Sequence, residues 1–154
     1  MAGVASTGKT GIGALLQVGD GESPMVFATV ANVTQLSIGG VTLNMVDSTH
    51  LNSPDFYMEQ KPGLKKAVDW TGTIQWDPTD PTTGSATGLT KFLEDRSLET
   101  FRFNAFQLGI TTALEVDANV SSLGNIEVSP EGLMTRPFTL SPSGKVREVT
   151  VSSI

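Results

Sequence analysis

The clearest hydrophobic pattern in the chain runs from Lys66 to Trp76. Every second residue along this segment is apolar or small, and polar residues fill most of the positions between them. The members of this series are Val68, Trp70, Gly72, Ile74 and Trp76. A period of two predicts a β-strand, because a helix would distribute these residues around its axis. Both tryptophans lie on the same face, so we expect that face to be covered by the core or by another subunit.

Other extended segments are predicted on both sides of this strand, separated by turns that contain glycine and proline. The chain has 16 glycines and 8 prolines, and β-branched residues are frequent between them. Val41, Leu43 and Met45 alternate with polar residues over 41–47, which is typical of a half-buried strand. The remaining predicted strands cover residues 15–18, 100–105, 113–118, 133–140 and 146–151.

A helical period replaces the alternation in one segment, predicted to run from about residue 85 to residue 97. The residues that share one side of this helix are Leu89, Phe92, Leu93 and Arg96. No linker or repeat divides residues 13–154, so the pattern predicts a mainly β protein with one helix in a single domain. Residues 1–12 are rich in glycine, serine and threonine, and we expect them to form a flexible N-terminal arm.

A long stretch with little periodicity, residues 47–66, is predicted to be a loop. A loop of this length within a compact small domain is usually functional or disordered. It carries several large apolar side chains: Leu51, Phe56, Tyr57, Met58 and Leu64. Such side chains need a surface to bury against, which lies either on the same domain or on a neighbouring subunit.

The overall charge limits the kinds of partner. The chain has 16 acidic and 10 basic residues, for a net charge of -6, and therefore lacks the basic surface that grips nucleic acid. An acidic surface can maintain solubility, and it can also repel DNA so that DNA slides past. Residues 1–10 hold no apolar segment of a signal peptide, and no apolar run approaches the roughly 20 residues of a membrane span. We therefore expect the protein to be made in the cytoplasm and kept there or packaged from there.

One short motif points to nucleotide binding. Residues 3–10, GVASTGKT, fit the phosphate-binding pattern G-x-x-x-x-G-K-[ST]. That pattern works only between a buried strand and a helix whose amides face the phosphates. Only Met1 and Ala2 precede it here, and the following Gly11-Ile12-Gly13 opposes a helix. We therefore interpret the segment as part of the terminal arm and not as a nucleotide site.

Other candidates for chemistry are weak. His50 is the only histidine and the chain has no cysteine, which argues against a zinc site and leaves His50 as a hydrogen-bonded loop residue. Asp77 and Asp80 flank a turn without the closing glutamate of a calcium loop, so we expect them to form turns and cap the helix. No pair of carboxylates and no nucleophile motif stands out. The sequence predicts no catalytic, cofactor or metal site, and the protein is not expected to be an enzyme.

Several segments, in order, resemble the phage tail tube proteins. The chain start GALLQVGDG (13–21) followed by FATVANVT (27–34) is similar to the start of that family. The stretch from DSTHL (47–51) through Ser53-Pro54 to KPGLK (61–65) looks like its long loop, and the strand that follows ends at Asp77-Pro78. The helix, a closing strand over 133–140 and SGK (143–145) fall in the expected order. Residues 82–85 and 106–112 depart from the pattern, and we do not expect the immunoglobulin-like domain that some relatives carry at the end.

This resemblance implies a structural virion protein of long non-contractile-tailed, siphovirus-type phages. Its fold would be a β-sandwich or barrel-like tail tube domain with one flanking α-helix. Hexameric rings would stack into a hollow tube around a tape-measure protein, and DNA would later pass through without specific binding. Baseplate or tail-tip proteins and terminator proteins would be further partners. The protein would be assembled in the host cytoplasm and located in the tail of the virion.

The resemblance also implies roles for particular residues. The long loop would contact neighbouring subunits through His50, Leu51, Pro54, Phe56, Tyr57, Met58, Pro62 and Leu64. An acidic lumen would keep DNA mobile, and the acids that are candidates for it are Asp20, Glu22, Asp69, Glu115, Asp117 and Glu127. Alternative interpretations are a related tail subunit (a hub, a terminator or the inner tube of a contractile tail) and a β-sandwich module that binds a sugar or a cell-surface ligand.

Overall fold

The computed structural model, which describes residues 11–84 and 87–152, consists mainly of antiparallel strands. The strands are β1 (Leu15–Gly19), β2 (Phe27–Thr29), β3 (Val33–Ser37), β4 (Val41–Asp47), β5 (Gln60–Ala67), β6 (Trp70–Gln75), β7 (Leu98–Asn104), β8 (Thr112–Leu123), β9 (Thr135–Pro142) and β10 (Arg147–Thr150). Among the described residues there is one α-helix, α1 (Leu89–Asp95), and there are two single 3-10 turns, Pro54–Phe56 and Phe106–Leu108. The prediction of a mainly β fold with one helix is confirmed.

Eight of the ten strands form one antiparallel sheet. Its order is β2-β1-β7-β8-β9-β6-β3, and β10 pairs with the first residues of β8. Side chains from strands far apart in this order, such as Leu16 of β1 and Ile74 of β6, belong to the same buried cluster. The sheet must therefore curl around its own core, as in a barrel. β4 and β5 pair only with each other and form a separate hairpin.

The core lies on the inner face of the curled sheet. Trp70, Phe101, Val116 and Phe138 are completely or almost completely buried there, which matches the apolar face predicted around Trp70. Gly72, between Trp70 and Ile74 on this face, leaves the space that the ring of Phe138 fills. Apolar and polar residues alternate along these strands, and the apolar ones form the core because successive side chains point to opposite sides of the sheet.

Helix α1 packs against the sheet and is shorter than the predicted 85–97. Leu89 is fully buried, and Phe92 and Leu93 pack partly buried against the core. The helix ends at Asp95 because Arg96 adopts a left-handed conformation with φ 56° and ψ 32°. Arg96 is therefore an exposed cap and not part of the buried face. Residues 85 and 86 of the predicted helix lie outside the described residues.

Part of the segment predicted as a loop over 47–66 forms a strand, β5. Residues from Gln60 onward pair with β4, so Lys61 lies opposite Val46 and Lys65 opposite Leu43. The register shifts between Leu43 and Met45, where the partner strand carries a proline and a glycine. This irregularity interrupts the alternation, which is why a strand was not predicted there. The true loop covers residues 48–59.

The predicted strand over 66–76 is in fact divided. β5 ends at Ala67 and β6 begins at Trp70, so the chain leaves the hairpin and enters the curled sheet at Val68–Asp69. The amide of Val68 donates a hydrogen bond of 2.7 Å to the carbonyl of Gly40, which holds the base of the hairpin together. The phosphate-binding motif and the rest of the predicted arm, apart from Gly11 and Ile12, lie outside the described residues.

Candidate assembly surface

The β4–β5 hairpin projects from the curled sheet with almost no cover. All residues of β4 are exposed, and so are all of β5 except Ala67. The hairpin and its loop hold nine of the eighteen exposed large apolar side chains of the described residues: Val41, Leu43, Met45, Val46, Leu51, Phe56, Tyr57, Met58 and Leu64. A two-stranded hairpin alone is marginally stable in water, and exposed apolar patches of this kind mark interaction sites.

Strand β4 differs from its predicted half-buried state. The alternation of Val41, Leu43 and Met45 is present, but each of these side chains is between 44% and 60% exposed. Their cross-strand neighbours on β5 are Ala67, Lys65 and Pro62. The prediction of burial within the chain is wrong, because the alternation marks an apolar face without identifying what covers that face.

Hydrogen bonds of the backbone and of polar side chains close the loop at the end of the hairpin. The amide of Ser48 donates to the carbonyl of Glu59 at 3.0 Å, and the amide of Glu59 donates to Oγ1 of Thr49 at 2.8 Å. The hydroxyl of Ser53 donates to Oε2 of Glu59 at 3.0 Å. Hydrogen bonds from Thr49 lower the pKa of Asp47, and the side chain of Thr49 has a larger effect than its backbone amide. The loop is thus built by its own polar residues, which leaves its apolar residues free to point outward.

His50 is one of these structural residues. Its Nδ1 accepts a hydrogen bond of 3.1 Å from the amide of Asn52, so the ring hydrogen of the neutral form belongs on Nε2. Nε2 lies 3.4 Å from Oε2 of Glu59. The prediction that His50 is a hydrogen-bonded loop residue is confirmed. Its position on the hairpin loop places it beside the other predicted contact residues.

The apolar residues of the loop form its outer end. Leu51 and Phe56 are fully exposed, and Tyr57 and Met58 are about three-quarters exposed. Asp55 and Phe56 follow Pro54 with φ angles of 53° and 61°, in the left-handed region that non-glycine residues rarely adopt. Such conformations often occur where a side chain must be held in a particular direction for function.

Of the eight predicted contact residues, six lie together on the loop at the hairpin end: His50, Leu51, Pro54, Phe56, Tyr57 and Met58. Pro62 and Leu64 lie on β5, nearer the curled sheet. The exposed apolar side chains of β4 were not predicted as part of this surface. Only one sign of this exposure was present in the sequence. Residues 60–66 of β5, the strand that pairs with β4, show no apolar alternation and so cannot cover the apolar face of β4.

Two of the six candidate lumen acids are bonded to arginines on the outer face of the sheet. Nε of Arg102 on β7 donates to Oε1 of Glu115 on β8 at 2.7 Å, and Arg102 lies 3.8 Å from the ring centre of Phe27. Arg147 on β10 donates to Oδ1 of Asp117 at 3.2 Å. Hydrogen bonds from Arg147 and Thr100 lower the pKa of Asp117. The sequence did not predict these pairs, because they depend on the register of three strands.

The other four acids are exposed and lie at the ends of the sheet. Asp20 follows β1, and its Oδ1 accepts hydrogen bonds from the amides of Glu22 and Val26 at 2.9 and 3.1 Å. Asp69 lies between the hairpin and β6. Glu127 lies in the connection from β8 to β9, beyond the far end of β6. The fold therefore brings Glu115 close to Asp117, and Asp20 close to Glu22, but it does not gather all six acids on one surface.

No group of three His, Cys, Asp or Glu side chains in residues 11–84 and 87–152 is arranged to hold a metal ion. No helix in the same residues is long and apolar enough to cross a membrane. Oδ1 of Asp77 accepts hydrogen bonds from the amide and hydroxyl of Thr79 at 3.0 and 2.7 Å, and this bonding lowers the pKa of Asp77. The predicted turn-forming role of Asp77 is confirmed. The predicted capping of the helix by Asp77 or Asp80 is wrong, because Gly88 precedes α1 and no side chain caps that end of the helix.

Solved structures with the same fold come from tails and injection devices. The chain is similar to a protein in the tail of an empty gene transfer agent particle refined with C6 symmetry (TM-score 0.70, 17% identity, 93% of this chain and 100% of that chain). It is also similar to a protein in the virion of the native gene transfer agent particle (0.68, 15%, 93% and 100%). A third is in the baseplate of the anti-feeding prophage (0.64, 12%, 97% and 100%). At these identities the likeness establishes the fold alone.

Comparison with family models identifies the chain. No curated protein matches it in sequence. The model described as lambda phage tail tube protein matches residues 16–148, a range that contains the hairpin, helix α1 and eight of the ten strands in full. The resemblance seen in the sequence is confirmed, and this chain belongs to the lambda phage tail tube protein family.

Proposed function

We propose that this tail tube protein assembles into hexameric rings that stack into a hollow tube, and that the β4–β5 hairpin is a principal contact between copies. Members of this family are structural subunits of the tail of the virion and not enzymes. The described C6 symmetry of the similar gene transfer agent tail supports six copies in each ring. An interface between different surfaces of identical subunits closes into rings or continues as a filament, and a tube needs both kinds of contact.

The single observation that carries this proposal is the uncovered hairpin. Half of the large exposed apolar side chains of the described residues are on this one projection. Burying apolar surface contributes about 25 cal/mol per Å², so covering several of these side chains in each copy supplies a substantial driving force. The hydrogen bonds within the loop hold it in shape before assembly, which lowers the entropy lost on contact.

We further propose that the tube forms around a tape-measure protein and that DNA later passes through its bore without specific binding. Asp20, Glu22, Asp69 and Glu127 form no ion pair within the described residues, and some of these acids would give the bore a negative potential that repels DNA. Glu115 and Asp117 would contribute less because Arg102 and Arg147 neutralise them. Baseplate or tail-tip proteins and a terminator would occupy the ends of such a tube. The ends would then expose the same surfaces that join the rings.

The test is assembly of the purified chain, observed by negative-stain electron microscopy. We expect long tubes of uniform diameter, and a chain that stays monomeric at all concentrations, even with a tail initiator complex present, would contradict the proposal. The variant Leu51→Ser/Phe56→Ser/Met58→Ser should not form tubes while keeping its circular dichroism spectrum. The control Leu98→Ser removes an exposed apolar side chain on another surface and should still assemble.

The same experiment separates the alternatives. Isolated rings without tubes would indicate a terminator or hub. The interpretation as a sugar-binding module required an aromatic platform, but Trp70 is completely buried and Trp76 is largely covered. Trp70 therefore stabilises the core, and the two tryptophans do not form an exposed aromatic platform.

A further inference from the structure

We propose that a second copy of this chain docks on the base of the hairpin through its β8–β9 connection, residues 125–134, and that this contact joins one ring to the next. The inference rests on the proposed tube and names the two surfaces that meet in it. We call residues 125–134 the acidic loop. The cleft at the base of the hairpin, whose lining includes Val41, Lys65, Lys66, Ala67, Lys145 and Val146, is called the lysine cleft.

The lysine cleft combines an apolar floor with positive charge. It has a volume of about 560 Å³, and Val41, Ala67 and Val146 contribute apolar surface to it. Lys65, Lys66 and Lys145 are exposed at its edge. None of these three lysines has a carboxylate within salt-bridge distance among the described residues. In a chain of net charge -6, three unpaired lysines around one cleft form an unusual positive surface.

The acidic loop has the complementary composition. It carries Glu127 and Glu131 and no basic residue, and the carboxylate of neither forms a hydrogen bond or ion pair within the described part of the chain. It also exposes four large apolar side chains, of which Val128 and Leu133 are about 70% exposed; the full set is Ile126, Val128, Leu133 and Met134. Its ends are held by two backbone hydrogen bonds between Glu127 and Thr135, at 2.8 and 3.2 Å.

The two surfaces lie at opposite ends of the same strand pair. β6 and β9 pair in register from Trp70 opposite Leu140 to Gln75 opposite Thr135. The lysine cleft lies beyond the first of these pairs, and the acidic loop connects directly to the last. Six paired residues separate the ends by roughly 20 Å, so one copy cannot fill its own cleft with its own loop. When copies are placed head to tail along the direction of β6 and β9, the acidic loop of each copy meets the lysine cleft of the next. A contact of this kind repeats without limit.

Another acidic turn fits the cleft less well. Asp20 and Glu22 are also followed by exposed apolar residues, Met25 and Val26. The carboxylate of Asp20 is already bonded to the amides of Glu22 and Val26, so only one free carboxylate remains in that turn. The acidic loop offers two carboxylates for the lysines and twice as many apolar side chains. Complementary charge across such a contact sets which surfaces pair and in which register.

A charge-reversal experiment on the full chain tests this pairing. Lys65→Glu/Lys66→Glu and Glu127→Lys/Glu131→Lys should each abolish tubes in electron microscopy. The fourfold variant that carries all these changes restores opposite charges across the contact and should recover tubes. Glu94→Lys/Glu148→Lys reverses two exposed acids on α1 and β10, so it repeats the change in net charge of the acidic-loop variant and should still form tubes. Circular dichroism of each protein establishes that it is folded.

The outcomes separate this inference from the proposed function. Tubes from the wild-type chain and from both double variants would overturn the pairing but leave the tube function intact. Loss of tubes in both double variants without recovery in the folded fourfold variant would also overturn it. A wild-type chain that never assembles would instead contradict the proposed function itself.

Discussion

The attachment of the hairpin to the curled sheet depends on one glycine, and Gly39→Ala tests this dependence. A Cβ atom at position 39 would lie 2.2 Å from the carbonyl oxygen of Val68 and 2.5 Å from that of Asp69. These oxygens belong to the backbone that links β5 to β6, so no side-chain rotation can relieve the contact. The neighbouring Gly40 has no atom within 4 Å of the same added carbon, and Gly40→Ala is therefore a matched control.

The expected loss of stability in Gly39→Ala follows from these distances. The closest contact must widen by at least ~0.8 Å to reach 3.0 Å, which forces the two chain segments at the hairpin base apart. Overpacking of this kind costs about 1–3 kcal/mol. Replacing glycine by alanine also stiffens the unfolded chain, by about 0.4–1 kcal/mol in favour of folding, and this effect is common to both variants. The difference between the two variants thus isolates the steric cost, and it corresponds to a gap of about 2–12 °C in thermal midpoint.

Thermal unfolding by circular dichroism, at a concentration where light scattering shows only monomers, measures this gap. Gly39→Ala should melt below the wild type and below Gly40→Ala, and Gly40→Ala should melt at or slightly above the wild type. Hydrogen exchange should show faster exchange of the Val68 amide, which bonds to Gly40, in Gly39→Ala. Equal midpoints for the two alanine variants would refute the reasoning, since the hairpin base would then have room that the structure does not show.

Glu115→Gln leaves the partly buried guanidinium of Arg102 without its carboxylate, and we expect a loss of about 1–3 kcal/mol in urea unfolding; an unchanged midpoint would contradict this pairing. Asp117 has a lowered pKa, mainly through its bond from Arg147, so its contribution is present above the unfolded pKa and is lost as the pH falls through the folded pKa. The thermal midpoint should accordingly fall less between about pH 6 and about pH 3 in Asp117→Asn than in the wild type, and equal slopes would contradict this. Phe101→Ala removes a completely buried ring and should cost about 3–5 kcal/mol in the same urea assay, whereas a loss under about 1 kcal/mol would place that ring outside the core.

The local hydrophobic pattern was enough to predict those elements in which the period of the pattern indicates which side chains are buried. Trp70 and Ile74 were predicted on one face because an extended chain points alternate side chains to opposite sides, and both are buried. Leu89 was placed on the inner side of a helix by its spacing, and it is buried as well. The order of turns, loop and strand also identified the family. Each of these features depends on residues close together in the chain, so the sequence alone determined them.

Tertiary structure decided everything that depends on which distant segments meet. The alternation in β4 marked an apolar face, but only its pairing with the irregular β5 shows that this face stays uncovered. Glu115 and Asp117 looked like free acids until the register of β7, β8 and β10 placed arginines beside them. The lysine cleft and the acidic loop became opposite ends of one axis only through the pairing of β6 with β9. Strand register and sheet order arise from long-range contacts, which no local period encodes.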